Sequence, residues 1–238
     1  MNIITKTITY QAEAMSCQGV LAYTQTTEKR PLVLVAHDWS GCNEFAVSKA
    51  KEIASLGYVG FALDMYGHGR FGATKEEKSA MMQPLIQDRA LLLTRIKAAY
   101  QVASVLPEVD ASKIGGIGFC FGGLCVLDLA RSGIPLNGVV SFHGALNAPQ
   151  MHLSKEIKSK ILVLHGADDP MVTNDMVFAF AREMNERHAD WQIHIYSNTM
   201  HAFTNPDAND PSFGTVYNPV STARAWQSMQ DFFVEVFG

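Results

Sequence analysis

Three residues of this chain, Cys120, Asp169 and His201, are of the types that nucleophilic catalysis uses. A cysteine thiolate can attack a carbonyl carbon, a histidine can take and return a proton, and a carboxylate can orient the histidine. The three occur in the order nucleophile, acid, histidine, as in hydrolases whose nucleophile lies on a strand-to-helix turn. The pattern predicts a catalytic triad that forms and then breaks a thioester.

The segment around Cys120, from Gly118 to Gly123, has the pattern glycine–x–cysteine–x–glycine–glycine. The mostly apolar residues 113–117 predict a buried strand before it, and the apolar residues 124–130 predict a helix after it. Glycines suit a turn in which the nucleophile is strained and the strand and helix approach closely. Serine usually occupies this position, and cysteine changes how the nucleophile is activated. The alternative is that Cys120 is a small buried apolar residue in a glycine-rich turn.

The predicted acid and base each follow a strand. Asp169 lies in the turn after the apolar residues 160–165, three residues before Val172, which begins the next packed segment. Asp168 is the alternative acid, and it would otherwise be a solvent-facing turn or helix-cap residue. His201 lies in the loop after residues 191–196, which alternate like a strand. This is the position expected of a triad base.

The chain contains eight histidines, so His201 has competitors. His143 and His165 end predicted strands and could line the site. His194 lies inside an alternating strand, where a packing or surface role is expected, and His188 lies at a helix end, where positive charge is favourable. Only His201 combines a loop after a strand with the required order along the chain.

Strands and helices alternate along most of the chain. The pattern predicts an α/β protein with a mostly parallel central sheet and helices on both faces. Residues 3–10 and 19–25 predict an antiparallel hairpin, and apolar positions from Leu85 to Ala99 predict one long helix that ends before Pro107. The glycine-rich residues 64–74 and the polar residues 204–219 predict loops near the rim of the site that move when substrate enters. No repeat or linker interrupts the sequence, so we expect a single domain, residues 1–238.

These motifs resemble those of the dienelactone hydrolase family. The resemblance extends from the strand at residues 32–37 to the final helix. It rests on the cysteine elbow, on the turn Gly-Ala-Asp-Asp-Pro-Met-Val at residues 166–172, on His-Ala-Phe at residues 201–203 and on residues 36–45. It implies a single-domain α/β-hydrolase fold, a Cys-Asp-His triad and cleavage of a small ester or lactone. No cofactor and no metal are expected.

The resemblance also assigns roles around the triad. Family members carry glutamate at the position of Asp38, where the carboxylate contacts the resting thiol and controls its protonation. Asp38 is one methylene shorter, and its alternative role is a helix-capping or turn carboxylate. By position, the backbone N–H groups of Trp39 and Phe121 form the oxyanion hole.

Substrate contacts are predicted for Trp39, Phe121, Phe203 and Asn205. Family members that act on dienelactones bind a substrate carboxylate with arginines, and Asn205 stands where one of them is found. Asparagine can form hydrogen bonds but supplies no charge, so small neutral esters or lactones are expected, with activated phosphotriesters as a further chemical option. The alternatives are a carboxymethylenebutenolidase acting on dienelactone itself and a catalytically inert small-molecule binding module.

Composition excludes several other classes. Hydrophobic residues make up 47% and charged residues 18% of the 238 residues, and the net charge is −4 without a basic stripe. Nucleic acid and membranes are therefore not expected partners, and we expect a monomer or a weak homodimer. The four cysteines form no C-x-x-C pair and no zinc-like spacing, which disfavours thiol-redox and metal chemistry. No secretory signal is evident, and a catalytic thiol suits a reducing compartment, so cytoplasmic localisation is expected.

Overall fold

The computed structural model describes residues 2–151, 153 and 155–238. The chain divides into two compact units, of which the first ends at Ile117 and the second runs from Gly118 to Gly238. The division falls inside one strand, β5, just before the cysteine elbow. Among the described residues, no helix is both long enough and apolar enough to cross a membrane.

The strands of the first unit follow the order β1-β2-β4-β3-β5. The predicted hairpin is confirmed, because β1 and β2 pair antiparallel, and β2 then runs antiparallel to β4. Strands β3 and β4 are parallel. The strands are β1 (Ile3–Ala12), β2 (Met15–Thr24), β3 (Arg30–Ala36), β4 (Val59–Leu63) and β5 (Val109–Phe119), the last of which continues into the second unit.

The helices of the first unit differ from the prediction at one place. Where one long helix is predicted, the structure has α2 (Lys75–Gln87) and α3 (Arg89–Ser104), which follow α1 (Glu44–Ser55). Asp88 separates them with an extended backbone (φ −114°, ψ 90°), and its side chain accepts a hydrogen bond from the N–H of Leu91 at 2.9 Å. Aspartate is a strong N-cap residue, so a new helix starts here although the apolar periodicity continues.

The glycine-rich stretch after β4 is held by hydrogen bonds to a buried carboxylate, and its movement when substrate enters remains a prediction. The buried carboxylate of Asp64 accepts hydrogen bonds from four backbone N–H groups, at 2.8 to 2.9 Å, and fixes the turn around itself. The four donors are Gln18, Tyr66, Gly67 and Gly69. These hydrogen bonds satisfy the buried backbone N–H groups and the buried carboxylate together, and they stabilise the conformation of the loop.

The second unit contains three parallel strands in the order β6-β7-β8. They are β6 (Gly138–Phe142), β7 (Lys160–Gly166) and β8 (Trp191–Tyr196), and the helices are α4 (Phe121–Arg131), α5 (Asn174–Glu186) and α6 (Pro219–Phe237). Helix α4 packs on β6, and α6 packs on β6 and β7. The loops after β7 and β8 leave the same edge of the sheet, because parallel strands end at one edge.

Residues 204–219, predicted to be a loop, contain a small antiparallel hairpin of β9 (Asn209–Asp210) and β10 (Thr215–Val216). Two-residue strands are too short to give a periodic signal, and the sequence shows only the turn residues Asn209, Asp210 and Pro211.

A buried ion-pair network holds the end of α4. The fully buried guanidinium of Arg131 donates to Asp128 at 3.1 Å, to Glu183 of α5 at 2.7 and 3.0 Å, and to the carbonyl oxygen of Leu146 at 2.8 Å. Breaking such a network typically costs about 3–5 kcal/mol, because it leaves an unpaired buried charge. The network therefore fixes the helix whose first turn carries the elbow.

Candidate active site

Cys120 lies between β5 and α4 in a strained conformation (φ 54°, ψ −113°). A positive φ is costly for a residue with a side chain and persists only where the surroundings enforce it. The N–H of Cys120 donates to the carbonyl oxygen of Phe142 in β6 at 3.0 Å, and its own carbonyl oxygen accepts from the N–H of Gly123 at 3.0 Å. The side chain is half-buried, whereas those of Cys17 and Cys125 are buried. This is the geometry of a nucleophile elbow.

The elbow requires its glycines for space. A Cβ atom on Gly118 would overlap the carbonyl group of Gly122, and one on Gly123 would lie 2.5 Å from the Oγ atom of Ser141 and 2.8 Å from the Cα atom of Gly144. The strand, the turn and the helix therefore approach each other more closely than any side chain allows.

The structure places Asp169, and not Asp168, beside the histidine. The Oδ2 atom of Asp169 lies 2.7 Å from the Nδ1 atom of His201, and its side chain is buried. Its Oδ1 atom accepts hydrogen bonds from the N–H groups of Met171 at 2.8 Å and Val172 at 3.1 Å. Asp168 is exposed. The carboxylate of Asp169 is thus held on both sides before any substrate binds.

His201 is buried, and its backbone is held on both sides by the hairpin that follows it. Its N–H donates to the carbonyl oxygen of Gly214 at 3.0 Å, and its carbonyl oxygen accepts from the N–H of Val216 at 3.1 Å. The Nε2 atom is buried and has no hydrogen-bond partner in the described part of the chain. Since Nδ1 is engaged by Asp169, Nε2 is the ring nitrogen available for proton exchange.

The electrostatics of the site keep a proton on His201. Burial alone lowers the pKa of its imidazole, but the charge on Cys120 and the hydrogen bond with Asp169 outweigh burial and raise the pKa to about 10. A histidine with this pKa is positively charged at neutral pH whenever Cys120 is negatively charged. The arrangement can therefore hold a thiolate–imidazolium pair, the reactive form in cysteine-dependent hydrolases.

Two further histidines lie close to this pair and are held neutral. The ring of His143 lies 5.1 Å from that of His201, and its Nε2 atom lies 2.8 Å from the Oγ1 atom of Thr204. Burial first, and then the charge on His201, lower the pKa of His143 well below its usual value. Burial likewise lowers the pKa of His165. Among the described residues, the ring of His143 has no carboxylate partner of the kind that His201 has.

Neither His188 nor His194 is placed to act as the base. His188 is exposed, and the Nδ1 atom of His194 lies 3.1 Å from the Oγ atom of Ser228, away from the triad turn. His152 lies outside the described residues.

The residues predicted to contact substrate in the second unit occupy different environments. Phe121 is the first residue of α4 and is nearly buried. Phe203 is 0% exposed and packs edge-on against the rings of His143 and Tyr196, at 5.2 and 5.8 Å, and its contact with substrate remains a prediction. The Oδ1 atom of Asn205 accepts a hydrogen bond from the N–H of Asp207 at 3.0 Å, which stabilises a turn.

Asp38 and Trp39 belong to the first unit. The Oδ1 atom of Asp38 accepts from the N–H of Ser40 at 2.8 Å, the contact of a turn carboxylate. The carbonyl oxygen of Trp39 accepts from the Tyr66 hydroxyl at 2.9 Å, and the Nζ atom of Lys78 lies 5.6 Å from the centre of the Trp39 ring. The predicted roles of Asp38 at the thiol and of Trp39 in the oxyanion hole and substrate pocket remain predictions.

The other cysteines lack the environment of Cys120. The Cys42 thiol donates to the carbonyl oxygen of Ala62 at 3.6 Å, and burial, followed by the charge of Asp64, raises its pKa to about 12. Burial also raises the pKa of Cys17. Cys125 is fully buried in α4. Cys120 is therefore distinguished from them by its histidine neighbour.

The chain is similar to known proteins along nearly its whole length. The family model of the dienelactone hydrolase family matches residues 18–237. A crystal structure of a dienelactone hydrolase-like promiscuous phosphotriesterase, P91, from metagenomic libraries superposes with a TM-score of 0.96, with 35% identity and with all of both chains covered.

The matches to two curated relatives extend over most of the length of each relative. The uncharacterised protein K02A2.1 of Caenorhabditis elegans is 36% identical over 150 residues, which are 61% of this chain and 94% of that protein. A probable 2-oxo-3-(5-oxofuran-2-ylidene)propanoate lactonase of Bradyrhizobium sp. is 26% identical over 87% of this chain and 85% of the relative.

The fold prediction is confirmed, since both units contain parallel strands connected by helices and the chain matches solved α/β hydrolases. The predicted hydrolase class is also confirmed by the family match. The chain belongs to the dienelactone hydrolase family, α/β hydrolases that act on ester bonds.

Proposed function

We propose that this protein hydrolyses small neutral carboxylic esters or lactones, with Cys120 as the nucleophile. The observation that carries the proposal is the buried, doubly held Asp169 at 2.7 Å from His201, whose pKa is raised by the charge on Cys120. A buried carboxylate–imidazolium pair beside a strained cysteine elbow has no evident structural need, and it supplies what covalent catalysis needs.

In the first half-reaction, the Cys120 thiolate attacks the carbonyl carbon of the substrate and forms a tetrahedral oxyanion. Collapse of this intermediate breaks the bond to the leaving alkoxide, which takes the proton from Nε2 of His201. The products of this step are an alcohol and a Cys120 thioester. Asp169 keeps the imidazole in the tautomer and orientation that the proton transfer requires.

The developing oxyanion needs hydrogen-bond donors. The N–H of Phe121 lies at the start of α4, where the helix dipole adds partial positive charge, and we assign it as one donor. The family resemblance assigns the N–H of Trp39 as the second and Asp38 as the carboxylate that modulates the resting thiol. Losing one such donor typically costs about 3 kcal/mol of barrier stabilisation.

In the second half-reaction, neutral His201 removes a proton from water, and the resulting hydroxide attacks the thioester carbonyl. The C–S bond breaks, the acid product leaves, and the thiolate and the imidazolium are restored. No cofactor is needed, because each proton passes between substrate, water and His201.

The substrate is proposed to be neutral at the end that Asn205 would approach, because asparagine carries no charge with which to bind a carboxylate. Activated phosphotriesters are a second candidate class. The observation that favours them is the 35% identity to P91, which is described as a promiscuous phosphotriesterase. Attack of the same thiolate on phosphorus would expel an aryloxide and leave a phosphorylated cysteine, which water would then hydrolyse.

The test is hydrolysis of short-chain p-nitrophenyl esters by the wild type and by Cys120→Ala, with Cys42→Ala as the matched control. We expect Cys120→Ala to lose activity by a factor on the order of 10³ or more, whereas Cys42→Ala keeps it. Equal activity in the wild type and Cys120→Ala would overturn the nucleophile assignment. Absence of turnover of all esters, lactones and phosphotriesters by the wild type would favour the inert binding module.

A further inference from the structure

The hairpin at residues 209–216, here named the clamp hairpin, lies against both the base and the acid of the triad. The sequence analysis assigns no functional role to this hairpin, and its two strands contain only four residues. Its contacts nevertheless converge on His201 and on the turn that carries Asp169.

The first set of contacts is to the backbone of His201. Gly214 accepts a hydrogen bond from the N–H of His201 at 3.0 Å, and Val216 donates one to its carbonyl oxygen at 3.1 Å. His201 also forms a parallel bridge with Thr215. The next residue, Ala202, has a left-handed backbone (φ 56°), a conformation that tertiary contacts must maintain. The hairpin therefore fixes the position from which the imidazole extends.

The second contact is to the acid turn. Gly214 has a φ of +83°, and a Cβ atom placed on it would overlap the ring of Pro170, the residue directly after Asp169. The backbone of the clamp hairpin thus rests on the acid turn with no space for a side chain between them. One glycine consequently touches the residue next to the acid and, through its carbonyl oxygen, the base.

Hydrogen bonds within the clamp hairpin stabilise it, so that it can hold His201 at a fixed distance from the turn that carries Asp169. The Asp210 carboxylate accepts from the Ser212 hydroxyl at 2.6 Å and from the N–H of Phe213 at 3.0 Å. The N–H of Gly214 donates to the carbonyl oxygen of Pro211 at 3.1 Å. A turn with its polar groups satisfied locally moves as a unit rather than residue by residue.

We propose that Gly214 is a positioning residue of this enzyme, which sets the distance between His201 and Asp169 by holding the clamp hairpin against Pro170. The inference rests on the proposed function, since it assigns Gly214 to the triad described there. A side chain at this position would push the hairpin, and His201 with it, away from the acid turn.

The test uses Gly214→Ala with a matched control and a rescue. Gly57→Ala is the control, because Gly57 also has a positive φ (+91°) but has no atom within 4 Å of a Cβ placed on it. This control carries the backbone strain of alanine without the collision. The rescue is Gly214→Ala with Pro170→Ala, which removes the ring atoms that the new methyl group would meet.

We expect Gly214→Ala to lower kcat by about 100-fold with little change in KM, because a displacement of about 1 Å is enough to cost this much. The low-field proton resonance of the His201–Asp169 hydrogen bond should weaken, and the pKa of His201 should fall. Gly57→Ala should change none of these, and the double variant should recover most of the loss.

The NMR readouts separate this inference from the proposed function, because they do not depend on which residue is the nucleophile. If the resonance is lost in Gly214→Ala but Cys120→Ala keeps full esterase activity, Cys120 is not the nucleophile. The role of Gly214 as a positioning residue would then still stand. An unchanged resonance and unchanged pKa of His201 in Gly214→Ala would overturn the clamp. Equal losses in Gly214→Ala and Gly57→Ala, or no recovery in the double variant, would also overturn it.

Discussion

His201 and Asp169 are joined by a 2.7 Å contact between Nδ1 and Oδ2, and the second oxygen of the same carboxylate is held by two backbone N–H groups. The carboxylate therefore cannot rotate away from the imidazole without losing both hydrogen bonds. This fixes the tautomer of His201 and leaves Nε2 as the nitrogen that the proposed proton transfer with Cys120 would use. The relationship makes the identity of the acid directly testable.

Asp169→Asn should lower kcat/KM for ester hydrolysis by a factor on the order of 10³–10⁴, because an amide favours the wrong imidazole tautomer. Asp168→Asn is the matched control, since Asp168 is the adjacent residue and is exposed. Steady-state kinetics of the two variants would decide between them. A loss in Asp168→Asn as large as that in Asp169→Asn would contradict the assignment of the acid.

The pKa of His201 should depend on Cys120. The charge on Cys120 is the largest of the influences that raise this pKa to about 10, so Cys120→Ser should lower it. The measurement is an NMR titration of the imidazole, with His201→Gln to assign the resonance. A pKa that is the same in Cys120→Ser and in the wild type would show that the thiolate does not interact with His201.

Much of this architecture follows from local sequence signals. The strands β3, β5, β7 and β8 and the helix after the elbow are predicted within a few residues, because apolar or alternating runs indicate burial directly. The sequence analysis chooses Asp169 over Asp168 because of its spacing from Val172. In the structure, the N–H of Val172 donates a hydrogen bond to the Asp169 carboxylate, which also lies beside His201.

Other features depend on contacts between residues far apart in sequence. The packing of Phe203 is one example, because its ring lies edge-on against His143, just after β6, and Tyr196 in β8. The break at Asp88 is hidden because the apolar periodicity is similar in α2 and α3. The clamp hairpin forms through its contacts with His201 and Pro170, which no local pattern records.

Alkylation should distinguish the four cysteines. At pH 7, iodoacetamide should modify Cys120 first, because Cys120 lies half-buried at the elbow, whereas burial raises the pKa of Cys42 to about 12 and also raises that of Cys17. Peptide mapping by mass spectrometry after a short exposure gives the site. His201→Gln should slow the reaction at Cys120 without affecting the others. Modification of Cys42 as fast as Cys120 would contradict this prediction.

The buried His143 should make the protein less stable in acid. Its pKa is lowered in the folded state, so the unfolded state binds a proton first as the pH falls below about 6.5. The contribution is complete above this pH and is lost by about 1.4 kcal/mol per pH unit below it, until the folded-state pKa is reached. Urea unfolding at pH 7.5 and pH 5 would measure the difference.

His143→Asn should reduce that pH-dependent difference in the free energy of unfolding, even if the variant is less stable at both pH values. His188→Asn is the control, because His188 is exposed and both positions have a positive φ (39° and 51°), which asparagine tolerates. An unchanged difference between pH 7.5 and pH 5 in His143→Asn would show that His143 is not the group responsible.

Trapping of the covalent intermediate would show whether Cys120 carries the acyl group of the substrate. The wild type would be mixed with p-nitrophenyl acetate, quenched in acid during turnover and mapped by mass spectrometry. We expect one acetyl group on the peptide that contains Cys120, which hydroxylamine at neutral pH removes as it does a thioester. Turnover without acylation of that peptide, or an acetyl group that stays on another residue, would contradict it.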